Sequence, residues 1–285
     1  MNRKTVLITG TSSGFGRLAV PLLLERGFRV LAGIRGGDER LREIFAAEIA
    51  RYGDQLTAVE LHLEAEDTFA AAESAIESLA GGKLDVLVNN AGFGLFGALE
   101  DQTPAQLRNQ MEVNFFGPTL LTRRLLPSLL RARGRIINVS SVAGRMTLPL
   151  YGPYCASKFA LEAMTEALHY ELRPFGVQVS LIEPGGYRTG FTRNKSVGER
   201  SLETASPHYA RAVALDRFQV GTTNRQGDPI RVARKIAQLS EQKRIPIRVL
   251  MGADAVLAGI LLKILPESWR VWLVDFAFRK IVFRD

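Results

Sequence analysis

Tyr154 and Lys158 close the segment Tyr154-Cys-Ala-Ser-Lys158, and on a helix that spacing puts a phenol and an ammonium on one face. A free tyrosine titrates near pH ~10 and is a poor base at neutrality. A neighbouring ammonium favours the phenolate and lowers that value, toward a range useful for proton transfer. Ser141 lies thirteen positions upstream, at the end of an apolar run, where its hydroxyl could hydrogen-bond a substrate oxygen. The chemistry these types suggest is proton exchange with an oxygen that Ser141 holds.

A second group stands near the start of the chain. Gly10-Thr11-Ser12-Ser13-Gly14-Phe15-Gly16 follows the apolar run Thr5 to Thr9 and precedes a helical stretch. The first glycine makes the tight turn, and the next ones let backbone approach a pyrophosphate and let helix pack on strand. The helix N-terminus then offers free N–H groups and a positive dipole to phosphates. A glycine-rich turn alone is weak, but its place between the first strand and first helix makes it specific. The second strand ends Val30-Leu-Ala-Gly-Ile-Arg35, with no acid before Asp38. A carboxylate there would bind the ribose 2′-hydroxyl of NAD, whereas an arginine accommodates a 2′-phosphate. Arg35, assisted by Ser12 or Thr11, therefore points to NADP rather than NAD, unless it is simply an exposed loop arginine.

The elements that must carry these groups alternate. Strands are expected at Thr5–Thr9, Arg29–Ile34, Leu56–Leu63, Leu84–Asn89, Arg135–Ser140 and Val177–Ile182. Helices are expected at Gly16–Arg26, Asp38–Tyr52, Thr68–Leu79, as one long element over Pro104–Arg131, and at Tyr154–Leu172. Strands separated by helices of that length form βαβ units and a parallel sheet buried on both faces. The fold class is α/β, a Rossmann-type doubly wound parallel sheet, with the 285 residues read as one domain. The rhythm breaks over residues 190–227, a polar and irregular insert that reads equally as a substrate lid or a surface excursion. Residues 254–285 form an apolar C-terminal extension.

Composition excludes several classes. Hydrophobic content of 46% and charged content of 23% are ordinary for a soluble globular protein. The single cysteine, Cys155, forbids an internal disulfide framework. The first apolar run is too short for a signal-peptide core, so no targeting segment is read and a cytoplasmic protein is expected. The net charge of +8 is spread from Arg3 to Arg284 without a dense block or interleaved aromatics, so a nucleic-acid partner is not expected. His62 reads as a structural strand residue, and His169 and His208 lack partners at metal spacing, so no metal site is proposed. Glu162 and Glu166, one turn apart, read as solvated or paired surface groups. Cys155 reads as a small packing residue.

These motifs together resemble the short-chain dehydrogenases/reductases, in their classical subgroup. The matching pieces are Thr9 to Gly16, Asn89-Asn90-Ala91-Gly92, Asn114, Ser141, Tyr154 to Lys158 and Pro184-Gly185, in the family's order across about two thirds of the chain. The resemblance implies a carbonyl–alcohol oxidoreductase acting on a small molecule. Tyr154 would be the general acid in reduction and general base in oxidation. Lys158 would bind the nicotinamide ribose hydroxyls and depress the Tyr154 pKa, and Ser141 would orient the substrate oxygen. Asn114 would hold a water linking Lys158 to solvent. Residues Asn89 to Gly92 would support the sheet and flank the adenosine, and Pro184 to Thr189 would meet the nicotinamide carboxamide, with Thr189 as hydroxyl donor.

Two positions depart from the family pattern. Glu64, followed by Ala65, stands where an aspartate commonly closes the third strand beside the adenine. Tyr187 stands where a small aliphatic residue is usual, and its bulk either reshapes the nicotinamide pocket or turns outward. The segments Ala32–Arg35, Gly92–Gly97 and Tyr154–Glu162 look like the branch with hydroxysteroid and retinol dehydrogenases, which implies a bulky apolar substrate. Pairing of the helices at Pro104–Arg131 and Tyr154–Leu172 would give a homodimer or homotetramer. A non-catalytic protein that senses NADP is the other reading of the same motifs. The tail joins an apolar run, Ala255 to Leu265, to Trp269, Trp272, Phe276 and Phe278 with basic neighbours. It suits packing on the core, a subunit contact or peripheral contact with a membrane.

Overall fold

A computed structural model describes residues 3–191, 195–222 and 226–283. Parts of the expected 190–227 insert and the last two residues of the extension lie outside that description.

The core is a parallel seven-stranded sheet in the order β3-β2-β1-β4-β6-β7-β9. Its strands are β1 (Thr5–Thr9), β2 (Arg29–Ile34), β3 (Leu56–Glu60), β4 (Val86–Asn89), β6 (Arg135–Val139), β7 (Gln178–Pro184) and β9 (Arg248–Met251). A separate two-stranded sheet joins β5 (Leu95–Phe96) to β8 (Ser196–Val197). Every residue of β1 and β4 is buried, which is why these strands read as unbroken apolar runs rather than alternating ones. The strand order reverses between β1 and β4, and there the carboxyl ends of both strands open a crevice.

Two layers of helices complete the burial. On one face, Ala19, Val20 and Leu23 of α1 (Gly14–Glu25) pack with Val232 and Ile236 of α8 (Ile230–Glu241) on Val6, Val30 and Val86. On the other, Ile76 of α3 (Phe69–Ala80) and Leu121, Leu125 and Leu129 of α5 (Gly117–Ala132) pack on Leu7, Leu31 and Leu87. Alternate residues of one strand thus serve opposite layers, as strand geometry requires. In the first layer α2 (Gly37–Tyr52) links β2 to β3, and in the second α6 (Gly152–Leu172) links β6 to β7.

The fold class agrees with the sequence expectation; several elements differ. The third strand stops at Glu60 rather than running to Leu63, because Thr68 Oγ1 accepts the His62 amide and folds the chain back. The expected helix over Pro104–Arg131 is α4 (Pro104–Met111), then a wide π turn at Glu112–Phe116, then α5. The widened turn drops Asn114 inward, where its amide bonds Phe93 and Ser157. Such turns hold side chains that a regular helix would point elsewhere. The irregular insert contains β8 and a helix, α7 (Tyr209–Thr222). Neither α8 nor the edge strand β9 was among the expected elements, although Val232, Ala233, Ile236 and Ala237 of α8 recur at helical spacing. The C-terminal extension forms α9 (Ala253–Ile264), α10 (Glu267–Ala277) and a further turn at Phe278–Phe283.

Candidate active site

A cavity of about 780 Å³ opens where the strand order reverses. One end is the glycine-rich turn. Gly10 has φ +69°, in the left-handed region that glycine adopts freely, and a Cβ there would stand 2.8 Å from the Ala91 backbone. A Cβ on Gly16 would run into the Gly10 carbonyl and the Asn90 amide. Ser12, Ser13, Gly14 and Phe15 line the cavity beside this turn. No side chain caps Ser13 at the start of α1, and no acid lies in its first turn. Those open N–H groups and the helix dipole fit the phosphates of a dinucleotide. The β4 end braces the turn: Asn90 Nδ2 donates to Thr9 O at 2.8 Å, and Thr9 Oγ1 accepts the amides of Asn90 and Ala91 at 3.0 Å each. Asn89, one residue earlier, donates to Asn138 Oδ1 at 2.8 Å and ties β4 to β6.

Arg35 and Glu64 face each other across the outer rim of this end, 3.7 Å apart. The arginine is largely exposed, so its charge is available to a ligand and its pair with Glu64 is weak in water. Three of the expected contact residues lie off the cavity wall. Thr11 is fully buried and its hydroxyl donates to Gly33 O at 3.2 Å, so Ser12 alone of that pair faces the cavity. Gly16 supports Gly10 from behind, and Ala65 lies off the cavity wall.

The other end gathers the chemical group. Gly152 to Leu172 folds as α6, so Tyr154 and Lys158 do share a helical face, with the Lys158 ammonium 6.0 Å from the Tyr154 ring centre. Lys158 Nζ donates to Val139 O at 3.0 Å. Ser141 stands two residues beyond β6; its hydroxyl accepts the Ala143 amide at 3.1 Å, and it lines the cavity with Tyr154. Asn114 and Lys158 approach Gly92 together: a Cβ there would lie 3.0 Å from Asn114 Oδ1 and 3.5 Å from Lys158 Nζ. Asn114 itself is off the cavity wall, held by Phe93 and Ser157.

The acidity runs against expectation. Burial pushes the Tyr154 phenol up to about 12, only partly offset by the Ser141 hydrogen bond, instead of the lowered value Lys158 was expected to produce. Burial also pulls the Lys158 ammonium down to about 8, with Glu162 opposing. Desolvation outweighs the attraction between these groups because both are enclosed.

Pro184, Gly185, Tyr187 and Thr189 line the cavity where β7 ends. Tyr187 turns inward, edge-on to Phe15 at 5.7 Å between ring centres, which settles the choice left by its unusual bulk. Residues that sequence spacing did not suggest complete the wall. Tyr151 and Phe191 flank the Tyr154 ring at 6.1 and 5.4 Å. Leu148, Leu215, Phe218 and Phe278 add an apolar lining beyond them. Lys195 is tied to Asp216 at 2.5 Å and Gln219 at 2.6 Å, and Asp254 accepts the Gly186 amide at 2.6 Å. These residues come from distant segments with no local motif, so no spacing could have pointed to them.

Behind α6, Glu162 departs from the surface position expected of it, while Glu166 keeps an exposed and paired one. Glu162 is buried, not solvated. Arg248 of β9 pairs with it, with fully buried Glu183 at 2.8 Å and with exposed Glu166 at 2.8 Å. Arg145 adds a contact to Glu183 at 3.4 Å. Burial and the neighbouring Glu183 carboxylate raise the Glu162 pKa to about 7, the Arg248 pair opposing. Among the described residues no cluster of His, Cys, Asp and Glu could hold a metal, and no helix is long and apolar enough to cross a membrane.

Comparison with known proteins follows this geometry. Residues 4–200 match the short chain dehydrogenase family. A 3-ketodihydrosphingosine reductase of Bacteroides thetaiotaomicron is 33% identical over 277 residues, covering 96% of this chain and 95% of its own. A short-chain dehydrogenase from Streptomyces avermitilis superposes with TM-score 0.79 at 32% identity, over 99% of this chain and 97% of its own. One from Burkholderia cenocepacia, solved with NADP, gives 0.68 at 27% identity, over 95% and 98%. Another from Burkholderia phymatum, solved with NAD, gives 0.75 at 27% identity, over 91% and 92%. Similar chains thus hold either nicotinamide dinucleotide.

Proposed function

The chain belongs to the short-chain dehydrogenase/reductase family of oxidoreductases, and from that premise we propose that it interconverts an apolar ketone or aldehyde and its alcohol using NADP(H). The observation that carries the proposal is that Tyr154, one helical turn from Lys158, and Ser141 line the apolar end of a cavity whose other end is a phosphate-binding turn. The nicotinamide, when bound, supplies or accepts the hydride. Ser141 would hold the carbonyl oxygen, and Tyr154 would give it a proton from the phenol. With the phenol pushed up to about 12, its proton is in place at neutral pH for transfer to a carbonyl oxygen, and the reverse reaction would draw on the phenolate. Lys158 would hold the ribose hydroxyls and steady the phenolate formed. Asn114, close to Lys158 around Gly92, would support the path by which Tyr154 is reprotonated. Thr189 and the Pro184-Gly185 turn would receive the carboxamide.

An apolar substrate is supported by Leu148, Leu215, Phe218 and Phe278 around the chemical end, and by the long-chain substrate named for the Bacteroides relative. The test is a panel of long-chain, steroid-like and small ketones, aldehydes and alcohols, followed by nicotinamide absorbance in both directions. NADPH-dependent reduction of the apolar members is expected. Cofactor binding with no turnover across the panel would instead favour the non-catalytic sensor.

For the cofactor, Arg35 is expected to contact the 2′-phosphate. Arg35→Ser should raise KM for NADPH about tenfold, the loss of one charge-assisted contact, while KM for NADH stays within twofold, ~0.4 kcal/mol. Equal effects on both cofactors would remove the argument for NADP. We extend the proposal to assembly: exposed Leu130 of α5 and Phe159 and Tyr170 of α6 are surfaces a second copy would cover in a dimer or tetramer.

A further inference from the structure

The C-terminal helices pose an energetic question. Most of the residues of α10 are apolar, yet none of the eleven is buried. Trp269 and Trp272 are 64% and 59% exposed, and Phe276 is also exposed. Their spacing places all three on one helical face, and the Trp272 and Phe276 rings stack at 5.3 Å. The preceding helix repeats the pattern, with Val256, Leu257, Ile260 and Ile264 exposed along one stripe of α9. Isolated exposed apolar residues are ordinary, but continuous apolar faces on successive helices mark a surface that something covers.

We propose that this tail docks the enzyme on an anionic phospholipid surface, with α10 lying in the interface. Three observations favour lipid over a protein partner. The composition is interfacial: paired tryptophans have apolar bodies and polar tips suited to the headgroup boundary, and Lys263 and Lys280 lie on the same segment, with Asp275 neutralised by Arg279. The whole chain carries +8, which draws it toward anionic headgroups. Neither helix, at twelve and eleven residues, can cross a bilayer, which takes about 20, so an in-plane arrangement is the one available.

The tail is also continuous with the cavity. Phe278 directly follows α10 and lines the apolar end of the cavity. Val282, in the same turn, is buried with Phe96 and Leu215. A docked α10 would therefore hold the substrate end of the cavity at the lipid boundary, where an apolar carbonyl is concentrated. This purpose rests on the proposed apolar substrate, but docking is measured without turnover. Vesicle binding by an inactive protein would count against the function alone, and turnover without vesicle binding against the docking alone.

The chain provides its own reporter, because its only two tryptophans are Trp269 and Trp272. The full-length protein is titrated with vesicles of phosphatidylcholine containing phosphatidylglycerol. Tryptophan emission is expected to shift to the blue and to be quenched by brominated acyl chains. Pure phosphatidylcholine vesicles should bind about tenfold more weakly, through loss of the charge attraction. In flotation, Trp269→Ser with Trp272→Ser should lower vesicle partition about tenfold or more, with NADPH affinity unchanged. The proposal is overturned by emission that does not move with lipid, by equal binding to neutral vesicles, or by unchanged flotation of the double variant. It is equally overturned if the blue shift follows protein concentration without lipid and the mass doubles, which would make a second copy the occupant.

Discussion

Tyr154→Phe is expected to lower turnover by roughly two to four orders of magnitude, the usual contribution of a positioned acid or base, while NADPH binds as before. The substitution removes one oxygen. The ring remains packed between Tyr151 and Phe191, so loss of activity would not reflect loss of fold. Thermal melting and NADPH fluorescence titration check those two points beside the kinetics. A pH profile adds a directional result. Because burial holds the phenol near 12, the acid form is saturated across neutral pH and reduction should be flat there. Oxidation needs the phenolate and should climb as pH rises. A variant that kept most of its activity, or a wild-type oxidation rate independent of pH, would remove Tyr154 from the proton step.

Arg248→Met is expected to destabilise the protein by about 3–5 kcal/mol, the usual cost of leaving buried charges without a partner. Arg248 is the cation shared by Glu162, Glu183 and Glu166, and Glu183 is fully buried. Methionine keeps much of the side-chain volume, so the loss reports on charge rather than on a cavity. Urea unfolding at pH 7 measures it. The sign of its pH dependence follows from Glu162, whose folded pKa is raised from 4.5 to about 7. The folded state then binds more protons than the unfolded one between those values, so this group costs stability as pH rises through that window. Without Arg248 the carboxylate has lost its main favourable partner, and the cost should steepen. A variant as stable as wild type at pH 7 and at pH 5 would show that the cluster carries no net charge strain.

The legible part of the molecule was the part with local signals. Thr5–Thr9 and Val86–Asn89 could be read because both faces of each strand are buried, leaving unbroken apolar runs. The glycine turn was readable because backbone approach to Ala91 and to the Gly10 carbonyl excludes other residues. What was lost depended on which way a side chain turns. Glu162 and Glu166 are the same residue one helical turn apart, yet one faces the sheet and the other solvent. Thr11 and Ser12 are neighbouring hydroxyls, and only Ser12 meets the cavity. The π turn at Asn114 was invisible because its one-residue shift of helical phase has no residue signature of its own. β9 has four residues, all only partly buried, too few for a periodic signal. The apolar lining was hidden for a further reason: Leu215, Phe218 and Phe278 meet only after the sheet has brought distant segments together.

The position of Arg248 also sets an order of events for a chain made from its first residue to its last. Glu162 and Glu183 leave the ribosome 86 and 65 residues before the cation that neutralises them. Until β9 adds to the edge of β7, Glu162 lacks its ion pair and Glu183 has Arg145 alone as counter-charge. A chain broken off before residue 248 retains the glycine turn, Ser141, Tyr154 and Lys158, but lacks the edge strand and the cation that Glu162, Glu183 and Glu166 share.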